Sequence, residues 1–168
     1  ANCTGKTTCR ATSEVWAESS EFVAIRDIKM CGCPASFFHG LVLPLQVITG
    51  VEDPLRPQGI WQYAWDVAIQ RIETDDIALV VNPQNFRSQN QLHVHLLRLK
   101  QQAKSQFKGM ATGKASNLSQ VWDISAQLAS QQHLSDYGVL VSKEDNGAFW
   151  VVVTALSPED LFTQYVCR

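Results

Sequence analysis

Gln91-Leu92-His93-Val94-His95-Leu96-Leu97 alternates polar and apolar side chains. A period of two predicts a β-strand. On that strand Gln91, His93 and His95 share one face, and Leu92, Val94 and Leu96 share the other. The apolar row can anchor the strand in a core. The polar row holds two imidazoles and one amide in line at a surface or cleft. Arg87, Ser88, Gln89 and Asn90 come just before it and form a cluster of donors suited to a phosphate.

Working outward, Ile77–Asn82 reads as a short apolar strand that Pro83 terminates. The polar loop Gln84–Asn90 then lies between two strands, the arrangement expected of a site. Glu21–Ile28 and Phe37–Pro44 read as a hairpin across the turn Lys29–Ser36, which contains Gly32 and Pro34. His39 either faces the site or is a hydrogen-bonded structural histidine, the simpler reading. Leu45–Pro57 is irregular. In Gln58–Glu73, apolar residues recur three and four apart from Ile60 to Ile72, which predicts an amphipathic helix with Trp61 and Trp65 in the core. Ser119–Gln131 reads as a second helix with Ser119 as its N-cap. Gly138–Ser142 and Ala148–Thr154 flank Asn146-Gly147, a hairpin signal. Ser157-Pro158-Glu159-Asp160 opens a last short helix, with its acids at the positive end. Hairpins without regular βαβ alternation predict an α+β fold, a mainly antiparallel sheet with flanking helices. Residues 1–20 read as a disulfide-tethered arm and 21–168 as a single domain.

A chain of 168 residues is one domain with room for a core. Its net charge of −2 provides no basic field, so nucleic acid is not the main partner. No apolar run of about twenty residues spans a membrane. No signal peptide is recognisable in these residues. Gly109-Met110-Ala111-Thr112-Gly113-Lys114-Ala115-Ser116 imitates a P-loop but fails its pattern. Its glycines are too close, and Ala115 follows the lysine where a hydroxyl should ligate magnesium. The cysteines are Cys3, Cys9, Cys31, Cys33 and Cys167. The spacer in Cys31-Gly32-Cys33 is too short for a common zinc knuckle. A disulfide from the arm to Cys167 is the expectation, and with it an oxidising compartment. An odd number leaves one thiol unpaired or paired between chains.

The triad stretch resembles the histidine-triad (HIT) superfamily of nucleotide hydrolases and transferases, with Gln91 at the position where the first histidine is usual. His39-Gly40-Leu41-Val42-Leu43-Pro44 is similar to the upstream strand of that family, and Asn82 to its ribose-binding asparagine. One branch, the bacterial CDP-diacylglycerol pyrophosphatases, is similar over Phe22–Asp27, Ile48–Leu55, Arg87–Asn90 and His133–Gly138 as well. The resemblance runs from about Phe22 to Val153. It implies a HIT-like sheet and hydrolysis of a CDP-linked substrate. His93 is then the nucleophile at the α-phosphorus and His95 a hydrogen-bond donor to the phosphate oxygens. Asn82, Arg87, Ser88, Gln89, Asn90, Gln91 and Lys100 become substrate-binding residues. The scheme requires no metal and no cofactor. It further implies work at a membrane surface, a periplasmic or other extracytoplasmic site, and a homodimer.

Gln91 cannot take up a proton. Phosphatidate is a phosphate monoester with a strong conjugate acid and needs little protonation to leave, so Gln91 favours pyrophosphate cleavage over phosphoramidate cleavage. Two alternatives remain at this level. One is a nucleotide-binding module without catalysis. The other is a metal protein in which His93 and His95 are joined by His39, His133 or a cysteine.

Overall fold

The computed structural model describes Cys9, residues 14–86 and residues 90–167. Its strands are β1 (Val15–Glu18), β2 (Phe22–Arg26), β3 (His39–Pro44), β4 (Ile77–Val81), β5 (Val94–Arg98), β6 (Ala111–Ala115), β7 (Gly138–Lys143) and β8 (Phe149–Thr154). Its α-helices are α1 (Ile60–Ala68), α2 (Ala103–Gln106), α3 (Val121–Gln131) and α4 (Pro158–Phe162). The strands form one sheet in the order β1-β2-β3-β5-β4-β7-β8-β6, with antiparallel pairing throughout. The chain is thus α+β, as expected from its hairpins.

Both faces of the sheet are covered. Ile77, Leu79 and Val81 of β4 enter the larger core with Val94 and Leu96 of β5, Trp61 of α1 and Trp122 of α3. Ala78 and Val80 point the other way and meet Leu97, Phe107 and Phe162. A strand buried on both faces reads as a continuous apolar run, which explains Ile77–Val81. Leu92, Val94 and Leu96 do form the core row opposite the histidines. Trp61 is fully buried, edge-on to Trp122.

Several boundaries differ from expectation. Val15–Glu18, within the stretch read as an irregular arm, adds edge strand β1, and Trp16 stacks on Phe38. The Gly109–Ser116 segment that imitates a P-loop supplies β6, paired with β8 from Ala111↔Val153 to Ala115↔Phe149. Lys114 there is ion-paired with Glu144 at 2.7 Å. Asn117, not Ser119, is the cap, and it caps the 3-10 turn Leu118–Gln120 that leads into α3. Its side chain accepts from the Ser119 amide at 3.0 Å, and Gln120 reaches back to the Asn117 amide at 3.4 Å. A capping box satisfies two terminal amides where a lone serine satisfies one.

The disulfides are Cys9–Cys31 and Cys33–Cys167. The expected link from the arm to Cys167 is therefore replaced by two links to one turn. Cys31 is buried and Cys33 half-buried, with Gly32 between them at φ +77°. One sulfur faces the arm and the other the tail. All cysteines among the described residues are bonded, and Cys3 lies outside those residues. Two such bonds fit an oxidising, extracytoplasmic location. No helix among the described residues is long and apolar enough to cross a membrane.

Candidate active site

Strand register assembles the site. β5 lies between β3 and β4, with His95 opposite Leu41 on one side and Val80 on the other. His39, two residues from Leu41, therefore shares the face of His95 and reaches it diagonally. Asn82, two residues beyond Val80, comes level with His93. Asp27 follows β2, and its amide donates to the His39 carbonyl at 2.9 Å. Glu159 arrives from α4. Gly138 permits that approach: a Cβ there would lie 2.6 Å from Pro158 Cδ and 2.9 Å from Pro83 Cδ. Pro158 and Pro83 thus close over β7 and set Glu159 beside Asn82.

The hydrogen bonds define the tautomers. His93 Nδ1 lies 2.7 Å from the Gln91 carbonyl. A carbonyl only accepts, so Nδ1 carries the proton and the lone pair of the neutral ring is on Nε2. His39 Nδ1 likewise donates to the Tyr165 carbonyl at 3.3 Å. Its Nε2 lies 2.9 Å from His95 Nδ1 and 3.4 Å from Asp27 Oδ2. His95 Nδ1 is also 2.9 Å from Glu159 Oε2. The carboxylate can only accept, so Nδ1–H of His95 points at Glu159 and at the lone pair of His39. Asn82 Nδ2 donates to Glu159 Oε2 at 3.2 Å and sits 3.5 Å from His95 Nε2. The Ser157 hydroxyl donates to Asn82 Oδ1 at 2.9 Å and so fixes the amide orientation. Lys29 Nζ completes the group, 3.3 Å from Glu159 Oε1.

A cavity of about 230 Å³ opens on this network, with Lys29, Phe86, His93, His95, Glu159 and Tyr165 among its walls. Asn82, Gln91 and His93 also share a narrow cleft. Gln91 donates to the Pro44 carbonyl at 3.3 Å, turning its amide toward the β3 end. Asn90 is exposed beside it. Lys100 lines a different cavity, of about 450 Å³, and its ammonium donates to the Asp160 carbonyl at 2.9 Å. Arg87, Ser88 and Gln89 lie outside the described residues. His133, weighed as a metal ligand, is exposed just past α3 in the left-handed region at φ +57°. Ligand atoms of Asp27, His39 and His95 lie within 4.8 Å of one another and could hold a cation. The cluster that converges therefore pairs His95 with His39 and Asp27, where the sequence pairs it with His93.

The model of the family described as CDH: CDP-diacylglycerol pyrophosphatase matches residues 34–137, more than half of the chain. The chain belongs to the CDP-diacylglycerol pyrophosphatase family. Two similar relatives carry the name CDP-diacylglycerol pyrophosphatase, from Mycobacterium bovis (strain BCG / Pasteur 1173P2) and Mycobacterium tuberculosis (strain ATCC 25177 / H37Ra). Each is 37% identical over 70 residues, covering 35% of this chain and 27% of the relative. The match thus spans about a quarter of the length of those relatives. Within the CDP-diacylglycerol pyrophosphatase match fall His39, Asn82, Gln91, His93 and His95. Asp27, Lys29, Ser157, Glu159 and Tyr165 lie outside it.

Those outer residues are the ones that sequence reading missed. Glu159 had one signal, its place in Ser157-Pro158-Glu159-Asp160, and that signal reads equally well as helix capping. Its burial is what marks it, for it is only 4% exposed. Burial alone would raise the Glu159 carboxyl. The His95 hydrogen bond, then the charges of His95, Lys29 and His39, outweigh burial and hold it well below the usual carboxylate range. His39 moves the other way from its charged form. Burial first, then the His95 charge, lower it from 6.5 to about 4, against the pull of Asp27 and Glu159.

Both shifts have the same sign for stability. A depressed folded pKa means that the unfolded chain binds the proton first, so stability is present above the unfolded value and lost as pH falls. For His39 the window runs from about 6.5 down to about 4. At full effect the loss is on the order of 3 kcal/mol. Glu159 extends the loss below the ordinary carboxylate range. The urea midpoint of the wild-type protein is expected to fall between pH 7 and pH 4.5 (roughly the upper part of this window), and that of His39→Gln to fall less steeply. Parallel slopes for the two proteins would refute the assignment to His39.

Proposed function

We propose that this chain hydrolyses the pyrophosphate of CDP-diacylglycerol, or of a related CDP-linked substrate, to CMP and phosphatidate. The fold in this reading is HIT-like, and the intermediate is a nucleotide carried on His93. The observation that carries it is the bond from His93 Nδ1–H to the Gln91 carbonyl at 2.7 Å, which puts the ring's lone pair on Nε2 beside the cavity. A neutral imidazole with a fixed tautomer is a competent nucleophile toward phosphorus. His93 Nε2 attacks the α-phosphorus, phosphatidate departs, and water then displaces CMP. His95 donates a hydrogen bond to the phosphate oxygens, where charge develops.

The substrate-binding roles have unequal support. Gln91 shares the cleft of His93, and Asn90 adjoins it. Arg87, Ser88 and Gln89 keep their assignment as phosphate donors from the sequence pattern. The bonds of Asn82 to Ser157 and Glu159 compete with a ribose role. The placement of Lys100 in another cavity weighs against direct contact. Phe86, half-exposed at the cavity, offers a ring on which a base can stack. Leu45, Val47 and Leu55 are exposed on the loop that Gln91 and Leu92 hold through the Pro44 and Ile48 carbonyls. An apolar surface next to the triad supports a substrate with acyl chains, met at a membrane surface in an extracytoplasmic compartment such as the periplasm. A homodimer belongs to the same reading.

The test uses CDP-diacylglycerol labelled in the nucleotide, with EDTA present. Rapid quench in alkaline denaturant, which preserves a P–N bond, is expected to trap label on His93, with CMP and phosphatidate as products. A second reading rests on Asp27, His39 and His95, which could bind a divalent cation. Loss of turnover in EDTA and its return with zinc would favour that reading. CMP binding without turnover would leave a nucleotide-binding module.

A further inference from the structure

Large apolar side chains left in water need a reason when they cluster. Val47 is 84% exposed, Leu55 74% and Leu45 52%. All three lie on the loop between β3 and α1. That loop is firmly built. Ile48 and Val51 anchor it in the larger core. The Asp53 carboxylate accepts from the Thr49 amide at 3.2 Å and from the Leu55 amide at 2.9 Å. The outward apolar residues are thus held by inward ones. Beside them runs a groove of about 120 Å³, with apolar walls from Phe22, Pro44, Leu45, Ile48, Leu55 and Pro57. Val47 is not one of its walls. Two hydrogen bonds join this groove to the cleft of His93. The Pro44 carbonyl accepts from the Gln91 side-chain amide at 3.3 Å, and the Ile48 carbonyl accepts from the Leu92 backbone amide at 2.6 Å. Gln91 and Leu92 line the cleft together with His93.

We propose that the groove takes the first carbons of one acyl chain of the lipid substrate, and that Val47 enters the bilayer that holds the rest. The proposal rests on the reading that this chain cleaves CDP-diacylglycerol at His93. Volume limits what the groove can grip. An apolar cavity of about 150 Å³ takes one benzene ring, so this one has room for roughly six carbons or fewer. Two full acyl chains do not fit. The lipid is therefore held close to its glycerol and is not drawn out of the membrane, which brings the loop to the membrane surface. Burial of apolar carbon drives this contact rather than charge. Glu21 on the groove and Glu52 and Asp53 on the loop are acidic. The one base of the loop, Arg56, donates to the Asp53 carbonyl at 3.2 Å and lies over the Trp122 ring.

The test compares three substrates with the same pyrophosphate on the whole chain. CDP-glycerol has no acyl chain. CDP-dihexanoylglycerol is used below its micelle concentration, and CDP-dioleoylglycerol in phosphatidylcholine vesicles. The wild-type protein is expected to favour CDP-dihexanoylglycerol over CDP-glycerol by roughly 10- to 100-fold in kcat/KM. Leu55→Asp should abolish that preference, with its loss confined to the acylated substrates. Leu45→Gln carries the comparison if Leu55→Asp does not fold. Val47→Asp, outside the groove walls, should keep the preference and lose roughly tenfold on vesicles. Val15→Asp, an equally abrupt change at an exposed position of β1, should match the wild type on all three. A wild type without the preference, or a Leu55→Asp that loses equally on CDP-glycerol and CDP-dihexanoylglycerol, would overturn the groove. Unchanged vesicle turnover in Val47→Asp would overturn the docking of the loop. Dissociation of a dimer in Leu55→Asp, with the preference kept, would assign this face to a second copy of the chain instead. Failure of the wild type to cleave any of the three, with no label on His93, would overturn the reading on which the proposal rests.

Discussion

Replacing His93 by alanine is expected to lower CMP release from CDP-diacylglycerol by roughly 10³- to 10⁶-fold, the range seen when a covalent nucleophile is deleted. The fold should tolerate the change. His93 is half-buried and precedes β5, while the strand itself is held by Leu92, Val94 and Leu96 in the core. Its Nδ1 hydrogen bond goes to a carbonyl only two residues away, so it ties no distant segments together. Thermal midpoints of mutant and wild type should therefore agree within a few degrees. His93→Gly separates loss of a nucleophile from loss of shape, because added imidazole can occupy the vacated space and attack in its place. Rescue by imidazole, with cytidylyl-imidazole as the released product, is the expected outcome. A mutant that keeps near-wild-type turnover would mean that the reaction runs without His93, and the cation-based reading would take its place.

Cys33→Ser with Cys167→Ser should cost more stability than any of the single substitutions in the site. The bond closes a loop with a sequence separation of 134 residues, against 22 for Cys9–Cys31. In the chain-entropy picture the longer loop restricts the unfolded chain more, and removing such a bond costs about 2–5 kcal/mol. The loss should also be felt at the site. The tail runs from α4 along the end of β5, where Gln164 bonds to Arg98 and Leu99, and then gives the Tyr165 carbonyl to His39. Cys167 pins it two residues further on. Without the pin, the buried Nδ1–H of His39 risks losing its acceptor, which costs about 1–3 kcal/mol when it happens. The double serine variant is expected to show a lower urea midpoint. Its kcat should fall only modestly at low temperature, because Thr163 and Gln164 still hold the tail. An unchanged midpoint would mean that the packing of Phe162 and the Gln164 bonds alone fix the tail.

By itself the sequence was enough for what depends on neighbouring residues. The alternation at Gln91–Leu97 is a property of a pleated backbone, and it sorted Leu92, Val94 and Leu96 into the core. Asn146-Gly147 marked its hairpin because that turn needs positive φ, and Gly147 adopts +91°. The apolar spacing of Ile60 to Ile72 marked α1, although the helix stops at Ala68. What failed locally was context-dependent. Gly109–Ser116 carries glycines and polar residues that suit a loop, yet Ala111–Ala115 pairs with β8, since an exposed edge strand can keep polar side chains. The site was half legible for the same reason. His93, just before β5, and His95, within it, lie two residues apart in the sequence and could be read as a pair. Asp27, His39, Asn82, Ser157 and Glu159 come from separate segments, and no local period links them. Only the strand order β3-β5-β4-β7 and the bare Cα of Gly138 bring them within hydrogen-bond reach. Tertiary surroundings then decide their charge: burial disfavours the charged form of His39, while the bond and charges around Glu159 outweigh its burial and keep that α4 carboxylate ionised.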